Sequence, residues 1–367
     1  MDETNPRYRR CFSERIPAVA MQPFILDPTD PDARRDAPGA VVCQTIKRNG
    51  KRVLSKGHQL TEADLPVLEQ LEAPIHAVRL GPGDVHEDDA AIRLAKAIAG
   101  PGLHRRDPVQ SRVNITADRK GLLRVDAKRV REMNNNFGVA VFTLMDRIPV
   151  LPGKIVAGAK ITPIAIGEET LAAAEAVAAR DGEPVVQVKP YVPHRVGIVT
   201  TEGLRGPLQE RFQQTVRQKL AWFGSEPIGF TDVPGECEAV AAAIRAFLDQ
   251  GADLIFTGGG NTIDPLDPTI RALPALDARL ISFGAAAHPG SMFWLAQTGD
   301  VPIVNLASCS MYSRATIADL VLPWIMAGEP VTPDEMAGLG YGGLLDRDMA
   351  FRFPQYTVES VEEPDEE

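Results

Sequence analysis

The chain has 367 residues, of which 44% are apolar and 24% are charged, a composition typical of globular proteins and not of disordered or collagen-like chains. Its formal net charge of −10 argues against sequence-independent nucleic-acid binding, which depends on neutralising phosphates. No apolar run approaches the roughly 18 residues of a membrane-spanning helix, and the N-terminus lacks the apolar core of a secretory signal. The four cysteines show no CxxC pair. We therefore expect a cytoplasmic protein that binds neither nucleic acid nor membranes.

The N-terminal half predicts a mixture of short strands and helices. Residues 1–39 are rich in Pro, Asp and Arg and predict an irregular arm. An α+β, β-rich region is expected over 40–183, with a hairpin turn at Asn49-Gly50 and several short strands bounded by Gly and Pro. The acidic segment 84–89 suggests a metal cluster, but acids in the first turn of a helix explain it better.

From Arg195 onward the pattern changes to alternating strands and helices, in which the strands are uninterrupted apolar runs. Such runs are typical of a parallel sheet covered by helices on both faces. The sequence therefore predicts an α/β domain over 190–330 with a doubly wound, mostly parallel, Rossmann-like sheet. Residues 331–367 form a C-terminal extension, and we expect its acidic tail from Glu359 onward to be solvated.

The loops after the predicted strands are the candidate binding segments, because open parallel sheets bind ligands beyond the carboxyl ends of their strands. The most informative loop is TGGGNTIDPLDPT, residues 257–269. Its glycines let the backbone approach a phosphate, and an Asp there can hold a magnesium ion. The alternative is a flexible turn in which Asp267 only caps the next helix. Asp232 adds a second carboxylate to the same edge, or else serves as a turn residue or helix cap.

Two further loops supply polar groups. AAAHPGSM, residues 285–292, places Pro289, Gly290 and Ser291 in a turn, where a lone His is more often structural. NLASCSMYSR, residues 305–314, places Ser308 and Ser310 near the start of the last predicted helix. Hydroxyls at that position either form an anion site or simply cap the helix.

The segment TGGGNTIDPLDPTIRAL resembles the molybdopterin-binding domain, which molybdopterin adenylyltransferases and molybdenumtransferases of molybdenum cofactor biosynthesis share. Asp232, the turn 288–291 and the strand VPIVNLASCSMYSR resemble further segments of that family in the same order, so the resemblance covers about 190–328. Segments on either side resemble the regions that flank this domain in bacterial molybdopterin-binding proteins, some of which are fused to a nucleotidyltransferase. The whole resemblance covers most of 40–347.

The resemblance implies a pterin ligand and a set of site residues. It implies binding of molybdopterin or a molybdenum cofactor intermediate, with Mg²⁺ and ATP as cofactors if the protein is a transferase. It also implies a homo-oligomer, with a molybdoenzyme or a nucleotidyltransferase as partner. Asp232 and Asp267 would be catalytic and would hold the metal. The ligand-binding set would be Thr257, Gly258, Gly259, Gly260, Asn261, Asp264, Thr269, Pro289, Gly290, Ser291, Ser308 and Ser310.

The sequence departs from the family at positions expected to handle phosphate. The family's Gly-Asp-Glu-Leu is here TTEGLRGP, which keeps Glu202 but not the Asp, and the lysine of its Pro-Gly-Lys turn is Ser291. Its Leu-Pro-Gly-Asn-Pro turn is LASCS at 306–310. These losses bear on catalysis more than on binding. Three hypotheses remain: an enzyme acting on molybdopterin, a non-catalytic carrier or partner of a molybdoenzyme, and an unrelated α/β nucleotide-binding protein.

Overall fold

A computed structural model of the chain describes residues 21–259, 264–306 and 316–360. The chain forms two compact units. The N-terminal unit contains the described residues up to 118 together with 124–146 and 155–187, and the C-terminal unit contains 119–123, 147–154 and the described residues from 188 onward. Within the described ranges, none of the helices combines the length and hydropathy that crossing a bilayer requires.

The first half of the chain is built from short strands and a few helices. The strands are β1 (Gln22–Leu26), β2 (Val41–Val42), β3 (Ile46–Arg48), β4 (Lys51–Leu54), β5 (Ile75–Arg79), β6 (Asp84–His86), β7 (Leu103–Arg105), β8 (Arg112–Ala117), β9 (Gly121–Val125), β10 (Val139–Thr143), β11 (Ile148–Val150), β12 (Ile155–Ile161), β13 (Ala165–Gly167) and β14 (Val186–Pro190). The α-helices are α1 (Pro31–Arg35), α2 (Leu65–Leu68), α3 (Glu87–Ile98), α4 (Ala127–Asn134) and α5 (Glu168–Ala179), with 3-10 turns at Glu62–Asp64 and Arg180–Gly182.

Two larger sheets, one two-stranded sheet and one hairpin organise the N-terminal unit. A three-stranded sheet has the order β1-β5-β2, and a four-stranded antiparallel sheet has the order β10-β12-β8-β7. β13 pairs with β6, and β3 pairs with β4. The predicted β3–β4 hairpin is confirmed: Asn49 and Gly50 both have positive φ, 51° and 76°, as a type I′ turn requires. Residues 22–26, where composition predicts an irregular arm, form β1 because they pair with the distant β5.

The C-terminal unit is built around a six-stranded sheet. Its strands are β15 (Arg195–Thr200), β16 (Glu226–Asp232), β17 (Leu254–Gly258), β18 (Arg279–Phe283), β19 (Trp294–Thr298) and β20 (Val301–Leu306). Its helices are α6 (Gly206–Trp222), α7 (Cys237–Asp249), α8 (Pro268–Arg271), α9 (Ile317–Met326) and α10 (Pro333–Gly338), with 3-10 turns at Leu273–Leu276 and Arg347–Arg352.

The strand order of this sheet is β16-β15-β17-β20-β19-β18. The first four strands are mutually parallel, and β19 and β18 continue the sheet in antiparallel pairing. Ile198 packs in one apolar cluster with α6 and α9, whereas its neighbour Val199 packs in a second cluster with α7 and the 3-10 turn Leu273–Leu276. Alternate strand residues point to opposite faces, so each face buries its own cluster. The predicted α/β class and the mostly parallel sheet are confirmed.

Candidate functional site

The four parallel strands of the C-terminal unit end at the same level. Thr200, the last residue of β15, pairs with Asp232 on β16 and with Gly258 on β17, and Gly258 pairs with Leu306 on β20. These four residues form one row across the sheet, which we call the edge row. The loops that follow them therefore begin side by side, at the edge where ligands of open parallel sheets bind.

Asp232 holds the loop that follows β15. Its Oδ1 accepts hydrogen bonds from Thr200 Oγ1 at 2.7 Å and from the backbone N–H of Gly203 at 3.2 Å. Arg205 Nη1 donates to Oδ2 at 3.2 Å, and the Arg205 side chain is 75% exposed. Asp232 thus has an ion-pair partner already and places an accessible guanidinium at the edge row. The sequence patterns missed Arg205 because nothing local links residue 205 to residue 232.

The start of the glycine loop approaches the loop after β15 closely. Gly259 has a φ of 88°, and a Cβ built on it would lie 2.3 Å from Glu202 Oε1. The backbone of Gly259 therefore occupies a position that no other residue type takes without displacement. This close approach follows from the adjacent pairing of β15 with β17, which begins the two loops next to each other.

Asn305 lies beneath the start of the glycine loop, and the sequence patterns missed it. It is 1% exposed, and its Nδ2 donates to the Gly259 carbonyl at 3.0 Å and to Thr257 Oγ1 at 3.4 Å. A buried amide of this kind orients the backbone that leaves β17. The available signal was a lone Asn at the end of the otherwise apolar strand VPIVNL. Thr257 itself is fully buried and faces the protein interior.

Asp267 caps α8. Its Oδ1 accepts from the backbone N–H groups of Thr269 at 2.8 Å and Ile270 at 3.4 Å, and from Thr269 Oγ1 at 2.5 Å. The predicted capping role is therefore confirmed, and the residue is only 3% exposed. Asp264 is exposed and shapes the preceding turn by accepting from the Leu266 N–H at 2.8 Å.

The start of α8 lies close to the loop after β16. A Cβ built on Gly235 would be 3.8 Å from Pro268 Cγ, an ordinary van der Waals contact. The structure thus brings the loops after β15, β16 and β17 and the start of α8 to one region. Gly260, Asn261, Ser308 and Ser310 lie outside the described residues.

The turn 288–291 is held against other elements. The His288–Pro289 peptide is cis, and a Cβ on Gly290 would lie 2.8 Å from Ile317 Cγ2 at the start of α9. The backbone of His288 bonds to Gly343 and Leu345, which supports a structural role for this residue. Ser291 lines a cavity of about 440 Å³ between the end of β18 and the start of α10. The other predicted site residues that the structure describes do not line that cavity.

No metal centre is preformed in the described part of the molecule. Within 21–259, 264–306 and 316–360, no three His, Cys, Asp or Glu side chains gather into a set that could hold an ion. Asp232 and Asp267 as metal ligands therefore stay a prediction. The edge row and the loops that follow it offer instead the exposed guanidinium of Arg205, the glycine backbone at 258–259, and the loop-ordering carboxylates of Asp232 and Asp267. Such groups can bind and orient an anion.

Comparisons with known proteins identify the type of domain that carries these loops. Residues 195–327 match the family model described as a probable molybdopterin binding domain. The resemblance predicted from the glycine loop is therefore confirmed, and these residues constitute a domain of that type. No curated protein gives a significant match to the chain.

The solved structures that match parts of this chain include three proteins of molybdopterin biosynthesis. The enzyme MoaB from Thermus thermophilus is 23% identical with a TM-score of 0.26, covering 37% of this chain and 98% of its own. The Mog protein from Mycobacterium ulcerans is 22% identical with a TM-score of 0.27, covering 32% and 84%. The MoeA protein from Pyrococcus horikoshii is 12% identical with a TM-score of 0.27, covering 91% and 80%. At these identities and TM-scores the similarities say nothing about function.

Proposed function

We propose that residues 190–330 form a doubly wound domain that binds molybdopterin or a molybdenum cofactor intermediate at the edge row, in the biosynthesis or handling of that cofactor. One observation carries the proposal. The segment matched as a molybdopterin binding domain, 195–327, contains every strand end of the edge row. The sheet edge at which an α/β domain binds its ligand is thus also where the glycine loop begins.

The phosphate of the pterin is the group that this edge is suited to bind. The guanidinium of Arg205 is exposed, and Asp232 tethers it beside Thr200. Guanidinium groups bind phosphate oxygens through paired hydrogen bonds. The glycine backbone around Gly258 and Gly259 allows a phosphate to approach without steric obstruction from a side chain. Ser291 stands where the resembled family has a lysine and carries no charge. Arg205 supplies a cation at this edge instead.

The contacts of Asp232 and Asp267 support a non-catalytic carrier that binds the pterin and passes it on, rather than a transferase. As a transferase the domain would use Asp232 and Asp267 to hold Mg²⁺, which would supply positive charge to stabilise the reacting phosphates. Asp232 would then have to release Arg205, and Asp267 would have to serve as ligand and helix cap together. A homo-oligomer, a cytoplasmic location and a molybdoenzyme or nucleotidyltransferase partner belong to the same proposal.

The test begins with the full-length protein. Mass spectrometry should detect pterin that the protein retains through purification, and titration of the ligand-free protein with molybdopterin should give a saturable Kd. Arg205→Gln should weaken that Kd by about tenfold or more, because a charge-assisted hydrogen bond is lost. Arg279→Gln is the matched control. Arg279 is exposed at the start of β18, the outermost strand on the other side of the sheet from β16, so its substitution should leave the Kd unchanged.

Three outcomes separate the hypotheses. Release of pyrophosphate from ATP in the presence of molybdopterin and Mg²⁺ would establish the transferase role. Binding with neither that release nor the release of AMP from adenylylated molybdopterin in the presence of molybdate would establish the carrier role. The absence of any pterin binding would refute the proposal and favour an unrelated nucleotide-binding protein.

A further inference from the structure

The β3–β4 hairpin of the N-terminal unit concentrates positive charge in an acidic protein. No Asp or Glu occurs between Asp36 and Glu62, although the chain as a whole has a net charge of −10. The hairpin itself carries four exposed cations: Lys47, Arg48, Lys51 and Arg52. This segment therefore has a charge opposite to that of the rest of the molecule.

The strand register places these cations opposite one another. Lys47 pairs with Arg52, and Arg48 pairs with Lys51, on either side of the type I′ turn. Like charges directly opposite each other destabilise an antiparallel pair, and a two-stranded hairpin is marginally stable by itself. Among the described residues, no carboxylate forms an ion pair with any of the four, and Arg48 donates instead to the side-chain oxygen of Gln70. An anion at this hairpin would remove an unfavourable interaction as well as adding favourable ones.

A cleft of about 580 Å³ lies beside the hairpin. That volume falls within the range of roughly 300–1,000 Å³ typical of small-molecule sites. Its lining is mostly polar and comes from two segments, 44–49 and 70–74. Lys47 and Arg48 contribute cations, and Glu72 contributes one carboxylate. Amides and hydroxyls of Gln44, Thr45, Asn49 and Gln70 complete a set of groups that hydrogen-bond phosphate and heterocycle atoms.

We propose that this cleft binds a small, multiply phosphorylated anion of the nucleoside triphosphate or inorganic polyphosphate class. The charge of the hairpin calls for an anion with more than one negative group, since two cations line the cleft and two more stand opposite them. The size of the cleft fits a small molecule. The site belongs to the N-terminal unit, so the proposal is independent of pterin binding at the edge row.

The test uses the full chain and two probes, tripolyphosphate and ATP, each titrated calorimetrically at low ionic strength without divalent metal. The wild type should bind both, and tighter binding of ATP would identify the nucleoside as part of the ligand. Lys47→Gln/Arg48→Gln should weaken binding by about tenfold or more. Lys128→Gln/Arg131→Gln removes the same charges from exposed positions of α4 and should change the affinity by less than about twofold.

Thermal unfolding gives a second readout: the substitutions that weaken anion binding should not lower the stability of the ligand-free protein. Because the double substitution in the hairpin removes the repulsion within both cross-strand pairs, the ligand-free variant should unfold at an unchanged or higher temperature in low salt. The proposal is overturned if the wild type binds neither probe, or if both double variants lose affinity equally. Tighter binding of oligoglutamate than of tripolyphosphate would overturn it in favour of an acidic peptide. Loss of binding in Arg205→Gln, with retention in the hairpin variant, would move the anion to the edge row.

Discussion

Asp267 is the residue whose substitution separates a structural from a functional role, because one oxygen accepts three hydrogen bonds at the start of α8. Asp267→Ala removes the helix cap, which costs about 1 kcal/mol, and leaves the buried Thr269 hydroxyl and N–H without that acceptor, at roughly 1–3 kcal/mol more. The free energy of unfolding should therefore fall by about 2–4 kcal/mol. Asp267→Asn retains an oxygen acceptor, and Asn caps helices about as well as Asp, so its loss should stay within about 1 kcal/mol. Urea unfolding measures both values.

The same pair of variants tests the ligand-binding role. If Asp267 contacts the pterin phosphate through Mg²⁺, Asp267→Asn should weaken metal-dependent binding by about tenfold or more, because a charge-assisted contact is worth on the order of 1.5–3 kcal/mol. The assay is the Kd of molybdopterin with Mg²⁺ and with a chelator. Asp249→Asn is the control: it removes one charge from the exposed C-terminal end of α7, and should change neither quantity.

The outcomes distinguish three arrangements. Equal affinities of wild type and Asp267→Asn, with and without metal, would refute the assignment of Asp267 to the ligand site. Tighter binding by the variant in the presence of chelator would show a direct contact between the carboxylate and a phosphate. An Asp267→Ala variant as stable as the wild type would show that the cap and the buried acceptor contribute little to stability.

Three further predictions concern stability. Asp319→Ala should lower the free energy of unfolding, measured in urea, by about 3–5 kcal/mol, because it removes the carboxylate that lies 2.7 Å from the buried ammonium of Lys219. Deletion of 359–367 should change the free energy of unfolding by less than about 1 kcal/mol, because the Glu359 carboxylate, whose ion pair with Lys120 is lost, is exposed. A fall of several degrees in Tm would contradict that expectation. Gly259→Ala should cost at least about 1–3 kcal/mol, because of its positive φ and the clash with Glu202, and a neutral result would show that this loop adjusts freely.

Several elements could be predicted because their signals are local. Asn49-Gly50 indicates a type I′ hairpin from two residues, and Asp267 followed by Pro268 indicates a helix start. The apolar runs of β15, β17 and β20 indicate buried parallel strands. In each case the side chains that determine the structure are neighbours in the sequence.

Other elements depend on partners far along the chain. β1 forms through its pairing with β5. The sequence of β19, Trp294–Thr298, combines apolar and polar residues, and the strand patterns did not indicate it. β19 is part of the sheet because it pairs antiparallel with β20 and β18. Propensity alone does not identify such strands, since their hydrogen bonds and burial are supplied by the neighbours.

The amino-acid sequence by itself determined the α/β class of the C-terminal domain, the sheet edge that is the candidate ligand site, and the resemblance to molybdopterin-binding domains, because apolar runs and a glycine loop are local patterns. Only the tertiary structure decided which groups meet at that edge. The pairing of β15 with β16 and β17 brings Arg205 to Asp232 and Glu202 to Gly259, and β20 brings Asn305 under the same loop. The physical reason is that strand register, set by the packing of both sheet faces, aligns residues that are distant in the chain.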